Sequence, residues 1–302
     1  MQEFAPIVLF VYNRPRHTKK TIEALKKNEL AGESDLFIFA DNTANDKNKE
    51  SVDSVRSYVK TIDCFKTVNI VERETNFGLA KNIISGVTEV IDRYKKVIVL
   101  EDDIVCSRTY LSYMNILLSY YRANEKIYSV TGYTFPIKIP VEYKYDVYFS
   151  SRASSWGWGT WKDRWETVDW DVKDYDNFIM NPDHIKSFNT GGDDLTKMLK
   201  EQMLGKIDSW SIIWSYAHFK NKSYCVFPTK SRLKNIGADR SGIHTNRTKK
   251  FDVELYEEET ELNLTEQVIF DQLIINNFQK FFSQNKFRKI VGKINDILSK
   301  QF

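Results

Sequence analysis

Cysteine is scarce: Cys64, Cys106 and Cys225 are the only three in 302 residues. Far apart and odd in number, they exclude a disulfide framework and the paired spacing of a thiolate metal site, and they fit a reducing compartment. A dominant charge is also lacking. Lys and Arg total 44 against 41 Asp and Glu, a net charge of +3, so there is no global basic field of the kind a dedicated nucleic-acid binder carries. No stretch approaches the roughly 18 apolar residues of a membrane span. Residues 1–11 lack the charged start, long apolar run and small-residue cleavage site of a secretory leader, and no internal repeat is visible. The expectation is a soluble, cytoplasmic chain, long enough to bury a sizeable core as one large domain or as a domain with an appendage.

What is present begins with alternation. PIVLFVYN is an apolar run with a polar end, and RHTKKTIEALKKNEL then carries Ile22, Leu25 and Leu30 at helical spacing. DLFIFADN repeats the strand, a helix is predicted near Val52 to Val59, and TVNIVERE is a third strand. Ile83, Ile84, Val87, Val90 and Ile91 mark one helical face, with Gly86 a small cost inside it, and KKVIVL follows as a fourth strand. Continuous apolar strands separated by helices predict an α/β fold with a parallel sheet covered on both faces. Ligands of such sheets bind beyond the carboxyl ends of the strands. Tyr12, Asn13 and Arg14, then Asp41 and Asn42, then Glu101, Asp102 and Asp103 all fall at those ends.

The stretch VIVLEDDIV sets three acids side by side where a buried strand ends. Neighbouring carboxylates repel one another and resist removal from water, so something positive belongs among them. A basic side chain, a proton shared between two acids and a divalent cation each meet that need; a solvated turn is the bland alternative. Residues of opposite parity on an extended strand face opposite sides, which gives Asp102 and Asp103 different tasks if the backbone stays extended through them.

In order along about residues 5–110, VLFVYNRP, FADN, NFGLAKN and LEDDI resemble the conserved stretches of GT-A fold glycosyltransferases, of the family 2-like or N-acetylglucosaminyltransferase I-like type. LEDDI is similar to the Glu-Asp-Asp form of their Asp-x-Asp motif. The resemblance implies a Rossmann-like, mostly parallel sheet with helices on both faces. It divides the chain into a nucleotide-sugar-binding subdomain over 1–110, an acceptor-binding and catalytic subdomain of the same domain over 111–250, and a helical tail over 251–302. It further implies Mn²⁺ or Mg²⁺ held by Asp103, with Asp102 at the ribose hydroxyls and Glu101 at the donor sugar or in a supporting hydrogen bond. Asn13 and Asp41 are candidates for nucleobase or ribose contact and Arg14 for a phosphate or base edge, although Asp41 equally suits an Asx-turn. Asn76 and Gly78 either form the turn before a helix or lead to a donor contact through Lys81 or Asn82.

The second half should complete the site. SSRASSWGWGTWKDRW packs Trp156, Trp158, Trp161 and Trp165 around two glycines. A flat apolar face with one donor suits a sugar ring, so Trp156 and Trp158 are candidate substrate contacts, beside Ser154 and Ser155; core packing is the alternative. In GKIDSWSIIWSYAHF, Asp208 precedes an apolar helical pattern and suits an N-cap. The resemblance places a catalytic base in a similar setting, and inversion needs one carboxylate to deprotonate the acceptor hydroxyl. Asp193 or Asp194, in NTGGDDL, is the alternative base. SRLKNIGADRSGIHTNR reads as a cation-rich loop. Arg240 is a candidate substrate contact there, and GIHT resembles the element whose histidine, here His244, completes the metal shell or holds the diphosphate.

The tail, acidic and then basic and apolar at helical spacing, suits an anionic membrane surface, a partner or the domain itself. The resemblance implies an inverting, metal-dependent transferase moving a sugar, expected from a UDP-sugar, to a saccharide or lipid-linked glycan in bacterial surface-polysaccharide synthesis; no nucleic-acid partner is expected, and the expected place is the cytoplasm, at the inner face of the membrane if the tail docks there. A sugar nucleotidyltransferase and a non-catalytic carbohydrate-binding protein are the rivals; a Gly-rich loop with Arg and Lys after the first strand, which the former would need, is missing.

Overall fold

The computed structural model describes residues 4–239, 248–258 and 261–283. Three βα steps and a fourth strand open the chain: β1 (Ile7–Val11), α1 (Pro15–Leu25), β2 (Asp35–Ala40), α2 (Lys49–Val59), β3 (Thr67–Glu72), α3 (Leu79–Tyr94) and β4 (Lys96–Glu101). There follow β5 (Ile104–Cys106), α4 (Tyr110–Tyr120), β6 (Ile127–Thr131), β7 (Val147–Ser150) and β8 (Trp158–Trp161). The short helices α5 (Lys162–Trp165), α6 (Tyr175–Ile179) and α7 (Pro182–Phe188) lead to α8 (Leu195–Met203) and α9 (Trp210–Lys220), then β9 (Tyr224–Pro228), β10 (Leu233–Asn235) and α10 (Gln272–Phe282).

Eight strands form one sheet in the order β3-β2-β1-β4-β8-β6-β9-β7, and β5 pairs with β10 in a separate two-stranded ribbon. The first four are parallel, whereas β8 runs antiparallel to both β4 and β6. The result is a mixed α/β sheet with helices on both faces. Strand alternation divides the core. Ile7, Leu9, Ile98 and Leu100 join α1, α2 and α4 on one face, while Val8, Phe10, Val97 and Val99 join α3, α8 and α9 on the other. Gly86 is more than a tolerated cost, because a Cβ there would meet the Phe10 ring at 2.8 Å; its absence lets α3 lie close on β1 and β2.

The short strands carry corrections. Leu233–Asn235 lies within a segment whose Gly, Asp and Ser content reads as loop, yet it pairs with β5. The tail is not helical from residue 251: its first helix among the described residues begins at Gln272. Before that, irregular chain is held by backbone bonds such as Tyr256 N–H to the Ser231 carbonyl and Asp146 N–H to the Asn263 carbonyl. Along α10, Ile274, Phe278 and Phe282 are buried against the domain, so this part of the tail packs back. The basic continuation from 284 lies outside the described residues, and none of the described helices is long and apolar enough to cross a membrane.

Candidate active site

Between β2 and β4 the order of strands reverses about β1, and ligands of open α/β sheets bind at such a crevice. The loops leaving β1 and β4 meet there, on a cleft of about 520 Å³ walled by Asn13, Arg14, Glu101, Asp102, Asp103 and Asp208. The acids are anchored through their backbone. Thr21 Oγ1 donates to the Asp102 carbonyl at 2.8 Å and Ile236 N–H to the Asp103 carbonyl at 2.8 Å. Asp102 is 3% and Asp103 8% exposed. Gly237 lies so close that a Cβ on it would fall 2.1 Å from Asp103 Oδ2, so this position accepts no side chain without moving the loop or the acid.

Of the three ways to compensate the acids, the structure shows the basic side chain. The Arg14 guanidinium donates to Asp102 Oδ1 and, at 3.1 Å, to Asp103 Oδ2. The condition for their different tasks is not met, because Asp102 and Asp103 sit in a turn rather than on extended strand and so reach one partner together. Compensation is incomplete. Burial and then the neighbouring Asp103 push the Glu101 carboxyl well above the usual range, and Arg14 only partly opposes this. Burial also pushes Asp102 up against the pull of Arg14. Burial works against the Arg14 charge in turn, but Asp102 and Asp103 outweigh it and hold its pKa above the ordinary value.

Among the described residues no group of three His, Cys, Asp or Glu side chains is arranged to hold a metal by itself. Two carboxylates converging on one cation do fit Mn²⁺ or Mg²⁺ in the mode in which phosphate oxygens and water fill the other positions, and Arg14 occupies that convergence point. The expected partner ligand His244 and the expected substrate contact Arg240 lie outside the described residues.

Asp41 is the clearest departure. Its Oδ1 accepts from the N–H groups of Asn42 (2.9 Å) and Phe77 (2.8 Å), and its Oδ2 from Gly78 N–H (3.0 Å) and Asn76 Nδ2 (3.2 Å). About four lone-pair sites are thereby filled, so Asp41 braces the turn before α3 and has no acceptor to spare for a nucleobase. Lys81 is also displaced from its expected role: its ammonium lies 4.2 Å from the Phe77 ring centre, and the residue is not part of the cleft wall. Asn82 does border the cleft, with Oδ1 taken by Arg73 Nε at 2.9 Å.

Asp208 is not the cap of its own helix. Ser209 holds that position, and Asp208 Oδ2 accepts instead from Ala80 N–H, at 3.3 Å, in the first turn of α3. It is exposed at the mouth of the cleft. The alternative base Asp194 is bound at 2.8 and 3.0 Å by Arg152, in an adjoining cavity of about 840 Å³ that shares Ser155, Trp156, Met198 and Ser211 with the cleft. Asp193 is exposed and outside the walls of both.

Trp158 corrects the aromatic expectation. It is 0% exposed, its ring 5.1 Å from Trp210 and 5.7 Å from Trp165, because β8 sits at the centre of the sheet. Trp156 lies on both cavities, half-buried against Tyr133 and Phe251. Tyr12, placed at the rim by the sequence but given no role there, sends its N–H to Asp102 at 3.4 Å; sequence reasoning missed Thr21, Asn235 and Gly237. The one available signal was a glycine inside NIG, downstream of a strand.

No protein-family model matches the sequence, and no curated protein does. Among solved structures the chain is similar to S. aureus TarS 1–349, with 10% identity and a TM-score of 0.43 over 76% of this chain and 59% of that one. A second structure of S. aureus TarS aligns with 11% identity and a TM-score of 0.42 over 76% of this chain and 36% of that one. The mannosyltransferase PcManGT from Pyrobaculum calidifontis, in complex with GDP-Man and Mn²⁺, aligns with 11% identity and a TM-score of 0.36 over 53% and 45%. The chain thus spans less than two thirds of the length of each. Likenesses at this level leave the chemistry to be read from this chain's own side chains.

Proposed function

We propose that the protein is a glycosyltransferase of the GT-A type, taking its sugar from a nucleotide donor, expected to be a UDP-sugar, and passing it with inversion to a saccharide acceptor. The observation that carries this reading is the acidic turn Glu101–Asp103, set at the strand-order reversal and facing a cleft wide enough for a nucleotide. Asp102 and Asp103 would hold a divalent cation, which supplies positive charge to a departing diphosphate. Asp208, exposed on the wall shared with the acids, would take the proton of the acceptor hydroxyl. The adjoining cavity, walled by Trp156 and by Ser154 and Ser155, would take the acceptor. Bacterial surface-polysaccharide synthesis is the setting that the sequence resemblance favours.

The carbohydrate-binding alternative loses its main support, since Trp158, Trp161 and Trp165 are core residues. Calorimetric titration with UDP, with and without Mn²⁺, tests the reading. Binding strengthened by Mn²⁺ in the wild type and weakened at least tenfold in Asp103→Ala is expected; glycan binding indifferent to both would reinstate the module. A panel of nucleotide-sugars, assayed for slow donor hydrolysis, then identifies the sugar.

A further inference from the structure

The charge inventory of the cleft poses a problem that the donor reading leaves open. Among the described residues lining it are six carboxylates, Asp41, Glu101, Asp102, Asp103, Glu201 and Asp208, and one cation, Arg14. A diphosphate entering such a cleft meets like charge at short range, in surroundings where burial weakens screening. The single positive group is already committed to Asp102 and Asp103. It cannot remain fully paired with them and also neutralise phosphate oxygens.

The two sides of this pair are not equally fixed. Asp102 is tied at its carbonyl by Thr21 and at its side chain by Tyr12 N–H, and the Asp103 carbonyl by Ile236 N–H. These bonds survive if the guanidinium departs. Arg14 stands at the junction of β1 and α1, where its backbone is not helical (φ −120°, ψ 72°) and no side-chain cap bond is made. Its carbonyl receives the Thr18 N–H and Oγ1–H, which anchors the main chain and leaves the long side chain as the part free to turn.

We infer that Arg14 is an exchangeable counter-ion: it holds the acidic turn together when the cleft is empty, yields Asp102 and Asp103 to an incoming divalent cation, and turns its guanidinium to the diphosphate that arrives with it. The inference rests on the donor reading of the cleft. It makes cation and nucleotide binding cooperative, because each alone must work against the resting ion pair, and linkage requires the coupling to be reciprocal. It also gives Arg14 opposite effects on the two ligands, which loss of a merely structural strut would not do.

The test is calorimetric titration of the full chain with Mn²⁺ alone, and with UDP at saturating Mn²⁺, in the wild type and Arg14→Met. Expected are weak Mn²⁺ binding to the wild type without UDP, binding of Mn²⁺ alone at least tenfold tighter in Arg14→Met, and UDP binding at least tenfold weaker in the same variant. If the variant binds Mn²⁺ alone no better than the wild type, while the wild type still binds UDP with Mn²⁺, the exchange is overturned and the donor reading stands. A wild type that binds no UDP under either condition overturns both. Should Arg14→Met lose its cooperative melt, Arg14→Lys, which keeps a charge but cannot span both carboxylates, is titrated with the same expected signs.

Discussion

The base proposed at Asp208 and the bond it accepts from the Ala80 N–H can be separated by one substitution. Asn keeps an oxygen able to accept the Ala80 N–H in the first turn of α3 but cannot take a proton from an acceptor hydroxyl. Asp208→Asn is therefore expected to lower kcat by roughly 10²–10⁴-fold with the melting temperature nearly unchanged, measured by initial rates and thermal melts. Loss of stability without loss of rate would reduce the residue to a cap. At this scale the sequence revealed which residue types gather at the rim but not their partners. An acid triplet after an apolar run is a local signal; that Arg14 answers it, 88 and 89 positions away, is not. Asp41 shows the same limit, since its two readings differ only in whether the Phe77 and Gly78 amides come within reach.

The elements that were legible are those whose neighbours impose a simple pattern. Parallel strands buried on both faces are continuous apolar runs, so β1 to β4 and the helices between them were readable. β8 is a strand because of its place in the sheet: Trp-Gly-Thr-Trp has one β-branched residue, and its Trp158 and Trp161 serve opposite faces of the core. Trp158 packs on Trp210 at the start of α9, two residues after Asp208. Trp158→Ala is thus expected to cost about 3–5 kcal/mol in denaturant titration and to weaken UDP binding without touching the cleft; Trp158→Phe should recover most of both. The α9–β6 contact makes a pH prediction. His218 Nδ1 donates to the Trp214 carbonyl at 2.9 Å and its Nε2 accepts from Ser129 Oγ at 2.8 Å, a neutral imidazole. Burial pushes its pKa down to about 4. Between that value and the ordinary histidine range the unfolded chain binds a proton that the folded chain refuses, so this contribution is complete near pH 7 and is lost as pH falls. His218→Gln should reduce the stability difference between pH 7 and pH 5 by on the order of 1–2 kcal/mol, measured by thermal melts at the two pH values.

Across the whole molecule, β4 to β8 pairing joins the two halves into one sheet, and α3 packs against α9 across the same seam. The boundary expected near residue 110 is thus no break in the fold, since the residues on its two sides share one sheet. Guanidinium unfolding followed by tryptophan fluorescence, which reports the cluster around Trp158, and by far-ultraviolet circular dichroism should give coincident transitions; separated midpoints would show two units. A single domain was expected, but which strands join its halves was hidden in the sequence, because antiparallel partners far apart in the chain leave no periodic trace. The roof over Asp103 is made after every described residue that lines the cleft, since Ile236 and Gly237 follow β10. During translation the acidic turn emerges on the order of ten seconds before that roof exists. The nascent polypeptide accordingly carries the acidic turn with Arg14 already synthesised to pair with it but with nothing over Asp103, and a ribosome stalled before residue 233 would display that turn to solvent cations more openly than the finished protein does.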